Sequence, residues 1–215
     1  MKFNFFSSEF AQKSRFHWDF IRNINKLENW EELSENYDSF SKKKNLNKKR
    51  MNKIPKIIHQ IWIGPRKLPK KYSIWAKTWQ ELNPTWKYKL WTEIDLKKLT
   101  LKNRGLYESS TNYGYKSDLA RYEILSKFGG LYIDTDFECL SPIPDNFLDF
   151  DFISCIVFSE EPQINNAIMM SKKDSKIIKN MINSIKLLND FNNPIDIIKS
   201  SGAINLTKQY FSLNQ

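Results

Sequence analysis

The sequence has little cysteine, glycine or proline, and it has no long hydrophobic run. Cys139 and Cys155 are the two cysteines among 215 residues, and because their spacing fits neither a metal site nor a redox site, we expect buried free thiols. Six glycines and eight prolines exclude a collagen-like or low-complexity chain. Apolar stretches such as residues 152–158 are far shorter than the roughly 18 residues of a membrane-spanning helix. A folded protein without a membrane span is therefore expected.

The first residues also lack the features of a secretory signal peptide. Residues 1–9 contain neither a continuous apolar core nor a small-residue cleavage site, which favours a cytoplasmic protein. Hydrophobic spacing over residues 1–40 is typical of an amphipathic helix or helix pair. We therefore predict a helical extension with a basic linker over residues 1–50, and one main domain over residues 51–215.

Acidic residues are absent from residues 42–71, which contain twelve Lys or Arg. The other twenty-two basic residues are balanced by 24 acidic ones, so this segment carries the whole excess of +10. It is interpreted either as a solvated linker or as a patch that contacts an anionic membrane, where each basic residue contributes about 1 kcal/mol. Nucleic acid ranks third as a partner, because no recognition motif accompanies the segment.

Strand and helix patterns alternate through the rest of the chain. Strands are predicted at residues 54–64, 86–91, 131–134 and 150–158, and helices at 74–82, 117–128, 175–188 and 203–210. Ser117 is the predicted N-cap of the helix at residues 117–128, and Gly129 is the predicted C-terminal stop of the same helix. This order predicts an α/β fold around a mostly parallel sheet, with ligands at the carboxyl ends of the strands.

Two pairs of charged residues are the candidates for chemistry. Asp134 and Asp136 follow a strand, where their carboxylates could bind Mg²⁺ or Mn²⁺, although two acids that cap a turn would look the same. Asp118 and Arg121 lie three residues apart, on one face of a helix and near its start. The arginine suits a phosphate and the aspartate suits sugar hydroxyls, while the alternative is a simple surface ion pair.

Three segments in this order resemble the DXD-motif sugar transferase family. They are residues 54–64 (IPKIIHQIWIG), 117–122 (SDLARY) and 129–136 (GGLYIDTD), and weaker similarity reaches Asn166 and residues 201–207. That family includes capsule and lipopolysaccharide glycosyltransferases, an initiating mannosyltransferase and, distantly, the clostridial glucosylating toxin domains. The resemblance implies a GT-A fold and metal-dependent transfer, with retention, of a hexose from a UDP- or GDP-sugar. The implied acceptor is a glycan or a lipid-linked molecule in surface polysaccharide synthesis, such as capsule, at the inner membrane face.

The resemblance also implies a role for each candidate residue. Trp62 would stack on the nucleotide base, with core packing as the alternative, and Tyr132 would line the donor pocket. Asp136 would bind Mn²⁺ or Mg²⁺ directly, and Asp134 would contact the ribose or a metal-bound water. Asp118 and Arg121 would hold the transferred sugar and the phosphate beside it, and Asn166 would contact the sugar. His59 would support its strand.

Two other interpretations stay open. Haloacid-dehalogenase-like phosphohydrolases also use Asp-x-Asp after a strand, but Phe137 and Glu138 replace the small turn of that class. The family pattern continues with a polar C-terminal stretch, whereas this sequence ends at Gln215 and has Ala203 where relatives often have proline. A shortened active enzyme, a fragment, and a catalytically inactive sugar-nucleotide-binding or membrane-associated remnant all agree with this ending.

Overall fold

The structure is a computed structural model that describes residues 35, 51, 53–158, 162–188, 191 and 193–213. The chain divides into two compact units, Met1–Lys49 with Ile156–Gln163, and Arg50–Cys155 with Ile164–Gln215. Most described residues belong to the second unit. The helical extension predicted over residues 1–50 lies outside the described residues, apart from Glu35, and it stays a prediction.

A five-stranded sheet with the order β2-β1-β3-β5-β4 forms the centre of the fold. Its strands are β1 (Ile57–Ile61), β2 (Lys87–Trp91), β3 (Gly130–Ile133), β4 (Phe152–Phe158) and β5 (Pro162–Ser171). The strand β1 is parallel to both β2 and β3, and β5 runs antiparallel to β3. The predicted α/β class with a parallel core is therefore confirmed, and an antiparallel strand extends that core.

Seven helices occur among the described residues from 53 onward. They are α1 (Lys70–Leu82), α2 (Glu93–Lys98), α3 (Arg104–Ser109), α4 (Tyr113–Phe128), α5 (Lys176–Ser184), α6 (Pro194–Ser200) and α7 (Ala203–Phe211). A 3₁₀ helix spans Asp145–Asp149. In the part of the chain that the structure describes, no helix combines the length and the apolar character needed to cross a membrane.

The start of α4 differs from the prediction. Asn112 caps this helix, because its side chain accepts a hydrogen bond from the amide of Tyr115 at 3.0 Å, so Ser117 lies inside the helix. Asp118 and Arg121 consequently lie in its middle, and the prediction that they are near its N-terminus is wrong. The helix α5 also ends at Ser184 rather than near residue 188.

A glycine pair connects α4 to β3. Gly129 ends the helix with φ 63°, and Gly130 begins the strand with φ 102°. A Cβ atom at Gly130 would lie 2.4 Å from the carbonyl oxygen of Ile57, so only glycine lets β3 approach β1 this closely. The apolar core continues from here along both strands through Ile58 and Leu131.

His59 supports β1 from a buried position. Its Nδ1 accepts a hydrogen bond from the indole of Trp91 at 3.1 Å, so Nε2 carries the proton and donates to the carbonyl of Gly129 at 2.9 Å. Burial lowers the pKa of His59 to about 4, although the bond to Gly129 opposes this shift. The imidazole is therefore neutral and joins β2 to the end of α4.

Both cysteines are free, but only Cys139 is buried. Cys155 lies in β4 with an exposed side chain, so the expectation of two buried thiols is wrong for this residue. The strand β4 has an outer position in the sheet, and such a strand can direct alternate residues toward solvent.

Candidate active site

The carboxyl ends of β1 and β3 meet at one edge of the sheet, because these neighbouring strands are parallel. Trp62 follows β1 there, and Asp134 follows β3. The side chain of Gln60 donates a hydrogen bond to the carbonyl of Asp134 at 3.1 Å, and it accepts one from the hydroxyl of Tyr88 at 2.6 Å. Side chains of the first two strands therefore fix the backbone where the acidic turn begins.

Arg121 occupies the centre of a buried polar cluster. Its Nη2 lies 3.1 Å from Oδ1 of Asp118 and 3.3 Å from Oδ1 of Asp134. Its Nη1 donates to the carbonyl of Asn166 at 2.8 Å, and its Nε donates to the carbonyl of Ser117 at 3.3 Å. Every nitrogen of the guanidinium thus has a partner within the protein. One buried cation holds two carboxylates that lie on different elements.

The interpretation of Asp118 and Arg121 as a surface ion pair is wrong. Their side chains are 10% and 7% exposed, so solvent screens the pair little. The guanidinium of Arg121 also lies over the ring of Tyr132, with 4.6 Å between its Cζ and the ring centroid. These contacts give Arg121 a role in positioning the acids, which is separate from the predicted contact with a donor phosphate.

Asp118 accepts hydrogen bonds at both of its carboxylate oxygens. The side-chain amide of Asn166 donates to Oδ1 at 2.9 Å, and the hydroxyl of Ser201 donates to Oδ2 at 2.6 Å. Burial raises the pKa of Asp118 to about 6, while Arg121 and these two hydrogen bonds oppose the shift. Three segments that are distant in sequence therefore meet at this one carboxylate.

The two acids after β3 have different surroundings. The hydroxyl of Tyr132 donates to Oδ1 of Asp134 at 2.6 Å, and the side chain of Asp134 is 32% exposed. Burial raises the pKa of Tyr132 well above its usual value, so the phenol keeps its proton and remains a donor. Asp136 is exposed two residues further along. The first carboxylate is held within the protein, and the second faces solvent.

These two carboxylates fit a divalent cation that a substrate helps to coordinate. Among the described residues, no group of three or more His, Cys, Asp or Glu side chains could hold a metal by itself. Mg²⁺ in nucleotide sites is usually bound by one or two carboxylates, together with substrate phosphates and water. The open end of β3 offers that number of oxygen ligands and leaves the other coordination positions to a bound diphosphate.

Trp62 lies at the same edge of the sheet as Asp134. Its amide donates to the carbonyl of Trp91 at 2.9 Å, which extends the pairing of β1 with β2 by one bond. The indole donates to the carbonyl of Arg66 at 2.7 Å, and its ring meets that of Tyr72 edge-on at 6.0 Å. The side chain is half-buried, and Trp62 does not belong to the core cluster around Ile58 and Leu131.

The sequence analysis did not identify two residues that support the cluster. Ser201 bonds Asp118, and its backbone carbonyl accepts a hydrogen bond from the hydroxyl of Tyr122 at 2.8 Å. A Cβ atom at the next residue, Gly202, would lie 2.8 Å from Cα of Ile198, so a glycine is required at this turn. The Ser-Gly pair lies within residues 201–207. The weak similarity of this segment to the sugar transferase family was the sequence signal that could have identified the pair.

The mixed sheet is of the GT-A type, and an acid pair follows its strand β3. In particular, residues 69–153 match the family described as glycosyltransferase sugar-binding region containing DXD motif. The predicted resemblance is confirmed by this match. The solved structure titled PaToxG Glycosyltransferase has the same fold, with a TM-score of 0.59 and 18% identity over 74% of this chain and 69% of that chain.

Curated relatives match parts of the chain at higher identity. Subversion of eukaryotic traffic protein A of Legionella pneumophila is 30% identical over 162 residues, which are 62% of this chain and 25% of that protein. Inositol phosphoceramide mannosyltransferase 3 of Schizosaccharomyces pombe is 34% identical over 90 residues, which are 40% of this chain and 25% of that protein. The chain thus spans about a quarter of the length of these two relatives.

Proposed function

We propose that the protein is a metal-dependent glycosyltransferase that moves a hexose from a nucleotide-diphosphate sugar with retention at the anomeric carbon. The observation that carries this proposal is that the two acids after β3 have different surroundings. Asp134 is fixed by the buried Arg121 and by Tyr132, while the carboxylate of Asp136 is exposed. This arrangement offers a positioned acid and an accessible one at the edge where α/β folds bind ligands.

The acid pair would act on the diphosphate end of the donor. Asp136 would bind Mn²⁺ or Mg²⁺, and Asp134 would contact the ribose or a water bound to that ion. The metal would supply positive charge that stabilises the departing nucleoside diphosphate. Trp62 would stack on the base from the end of β1, where a half-buried indole can cover one face of a planar ring.

The buried cluster would act on the sugar end of the donor. Asp118 would accept hydrogen bonds from sugar hydroxyls, and Asn166, which already bonds Asp118, would contact the same sugar. Tyr132 would line this part of the pocket through its contacts with Asp134 and Arg121. Because the guanidinium of Arg121 is already bonded, it would reach the donor phosphate by exchanging one of its present partners.

The acceptor in this proposal is a glycan or a lipid-linked molecule in surface polysaccharide synthesis. A relative named for inositol phosphoceramide mannosylation favours a lipid acceptor and places a mannose donor among those to be tested. We also propose a cytoplasmic protein that contacts the inner membrane face through the basic segment 42–71. Lys53 and Lys56 in this segment form ion pairs with Asp151 and Asp145, at 2.8 Å and 3.0 Å, which lowers the charge that they offer.

Donor hydrolysis tests this proposal. The chain is incubated with UDP- and GDP-hexoses and Mn²⁺, and NMR follows the configuration of the sugar released at the earliest times. We expect hydrolysis of one donor with retention, loss of turnover in Asp136→Ala, and normal turnover in Glu138→Ala, since Glu138 is an exposed acid two residues further on. Unchanged turnover in Asp136→Ala would contradict the metal assignment. Metal-dependent binding without hydrolysis or transfer to any acceptor would instead favour the inactive binding protein.

A further inference from the structure

The outward face of α1 and the turn before it carry five exposed basic residues, and the acidic residue of α1 is Glu81 in its last turn. Arg66 and Lys67 in the turn are exposed, as are Lys70, Lys71 and Lys77 in the helix. From Pro65 to Gln80 the sequence contains no Asp or Glu. We call these five residues, together with Ile74, the α1 basic surface.

Apolar groups interrupt this positive surface. Ile74 is 52% exposed, and helical spacing places it on the same side as Lys70 and Lys77. Beside it, the Nζ atom of Lys71 lies 4.4 Å from the ring centroid of Trp75, which stacks on Tyr72 with 5.5 Å between the rings. Basic side chains around an exposed aliphatic residue and half-buried aromatic rings are typical of surfaces that bind the headgroup region of a bilayer.

The helix α2 can be compared with α1, because it also has an exposed isoleucine and exposed lysines. Its acidic residues give it a different electrostatic setting. Ile94 is 67% exposed, and Lys97 and Lys98 are exposed one turn later. In α2, however, Glu93 and Asp95 occupy the first turn, so two acidic groups balance the two lysines of the last turn. The two helices therefore separate the effect of exposed residues from the effect of a net excess of positive charge.

The α1 basic surface adjoins the edge of the sheet that carries the acid pair. Tyr72 in the first turn of α1 meets the ring of Trp62 at 6.0 Å, and Trp62 follows β1. The strand β1 is parallel to β3, so the ends of both strands lie at that edge. A flat negatively charged layer against α1 would therefore lie near the opening of the donor site.

We infer that the α1 basic surface docks the domain on a bilayer that contains anionic lipid. Positive charge brings the surface to the bilayer, and Ile74 enters the headgroup region. This orientation presents Asp134 and Asp136 to an acceptor that is carried by a lipid. Bilayer binding stands independently of the enzyme's activity, whereas the delivery of a lipid acceptor rests on the proposed function.

Cosedimentation of the full chain with vesicles tests the docking. We expect binding to vesicles of phosphatidylcholine mixed with phosphatidylserine, much weaker binding to phosphatidylcholine alone, and loss of binding at high salt. The triple variant Lys70→Gln, Lys71→Gln, Ile74→Asn should bind the mixed vesicles about tenfold or more weakly, given the contribution of each lysine near a charged bilayer. The composition-matched variant Ile94→Asn, Lys97→Gln, Lys98→Gln should bind as the unmodified chain does.

Several outcomes would overturn the inference. These are equal losses in the two triple variants, equal binding to both kinds of vesicle, or dependence on the basic residues of 42–50 but not on α1. Binding to RNA with the same dependence on α1, combined with no binding to vesicles, would also overturn it. Donor hydrolysis without vesicles is measured in parallel and should not change in the α1 variant. If the unmodified chain neither hydrolyses a donor nor transfers its sugar but docks as described, the proposed transferase activity fails and the docking surface stands.

Discussion

Ser201 lies outside the acidic motif and contacts the polar cluster through Asp118. Its hydroxyl donates to the buried Oδ2 of Asp118, and removing it leaves that oxygen without this donor in a poorly solvated place. We expect Ser201→Ala to weaken binding of the nucleotide-sugar donor about tenfold, which corresponds to the loss of one hydrogen bond to a charged group. Calorimetric titration with the donor measures this change.

Ser200 is the matched control for that substitution. It precedes Ser201 directly, and its hydroxyl donates to the carbonyl of Lys186 at 3.2 Å, away from Asp118. Ser200→Ala should leave donor affinity unchanged, and Ser201→Thr should restore part of it because a hydroxyl is kept. If Ser201→Ala binds the donor as tightly as the unmodified chain does, the hydroxyl of Ser201 does not contribute to donor binding.

His59 makes the stability of the domain depend on pH. The pKa of His59 is about 4 in the fold and about 6.5 in the unfolded chain, so only the unfolded chain takes up a proton between these values. The contribution is fully present above pH 6.5 and is lost as the pH falls toward 4, with a total of about 3 kcal/mol.

Urea unfolding at several pH values measures this dependence. Asp118 acts in the opposite direction, because its raised pKa makes the fold bind a proton more readily than the unfolded chain does. The comparison is therefore the unmodified chain against His59→Gln, and we expect the difference between their free energies of unfolding to shrink as the pH falls. A difference that stays constant from pH 7 to pH 4 would show that His59 is protonated in the fold as well.

The grouping of Asp118 and Arg121 could be predicted from sequence, but their surroundings could not. The spacing of Asp118 and Arg121 indicates that they share a helix face, which the ion pair at 3.1 Å agrees with. Spacing does not reveal that Arg121 also bonds Asp134 and the carbonyl of Asn166, because those contacts depend on how distant segments pack. Burial of the pair follows from the same packing.

At the scale of elements, the junction between α4 and β3 depends on one glycine. Gly130→Ala would place a Cβ atom 2.4 Å from the carbonyl of Ile57 at a φ of 102°, so either the strand pairing or the backbone must distort. We expect a loss of about 2 kcal/mol or more in the free energy of unfolding, measured with urea.

Gly105 is the control for this glycine substitution. It lies in α3, and an added Cβ atom would meet nothing within 4 Å. Gly105→Ala should therefore stabilise the domain slightly, by up to about 1 kcal/mol, because alanine favours the helix. Similar effects of the two substitutions would contradict the close approach of β3 to β1.

The predicted bounds of strands and helices agree best with the structure where a buried apolar run forms the element. The strands β2 and β3 lie within one residue of their predicted bounds, since turn residues flank both runs. The strand β5 was not predicted, because Asn165 and Asn166 interrupt its apolar pattern and have low strand propensity. The start of α4 was missed for a related reason, since Gly114 lies inside the helix and Asn112 caps it from five residues further back.

At the scale of the whole molecule, the site consists of the ends of elements that the sheet order brings together. The fold class and the acidic motif after β3 could be predicted from the sequence, because both depend on local patterns such as a strand followed by two acids. The antiparallel pairing of β5 with β3, which brings Asn166 to Asp118, has no local signal in the sequence. The position of Ser201 depends equally on the packing of α6 and α7.

Calorimetric titration of the chain with UDP- and GDP-hexoses, with and without Mn²⁺, tests the central claim most directly. We expect one donor to bind only when the metal is present, with binding lost in Asp136→Ala and kept in Glu138→Ala. Binding of that donor with equal affinity in the absence of metal, or in Asp136→Ala, would contradict a metal-assisted donor site at the end of β3.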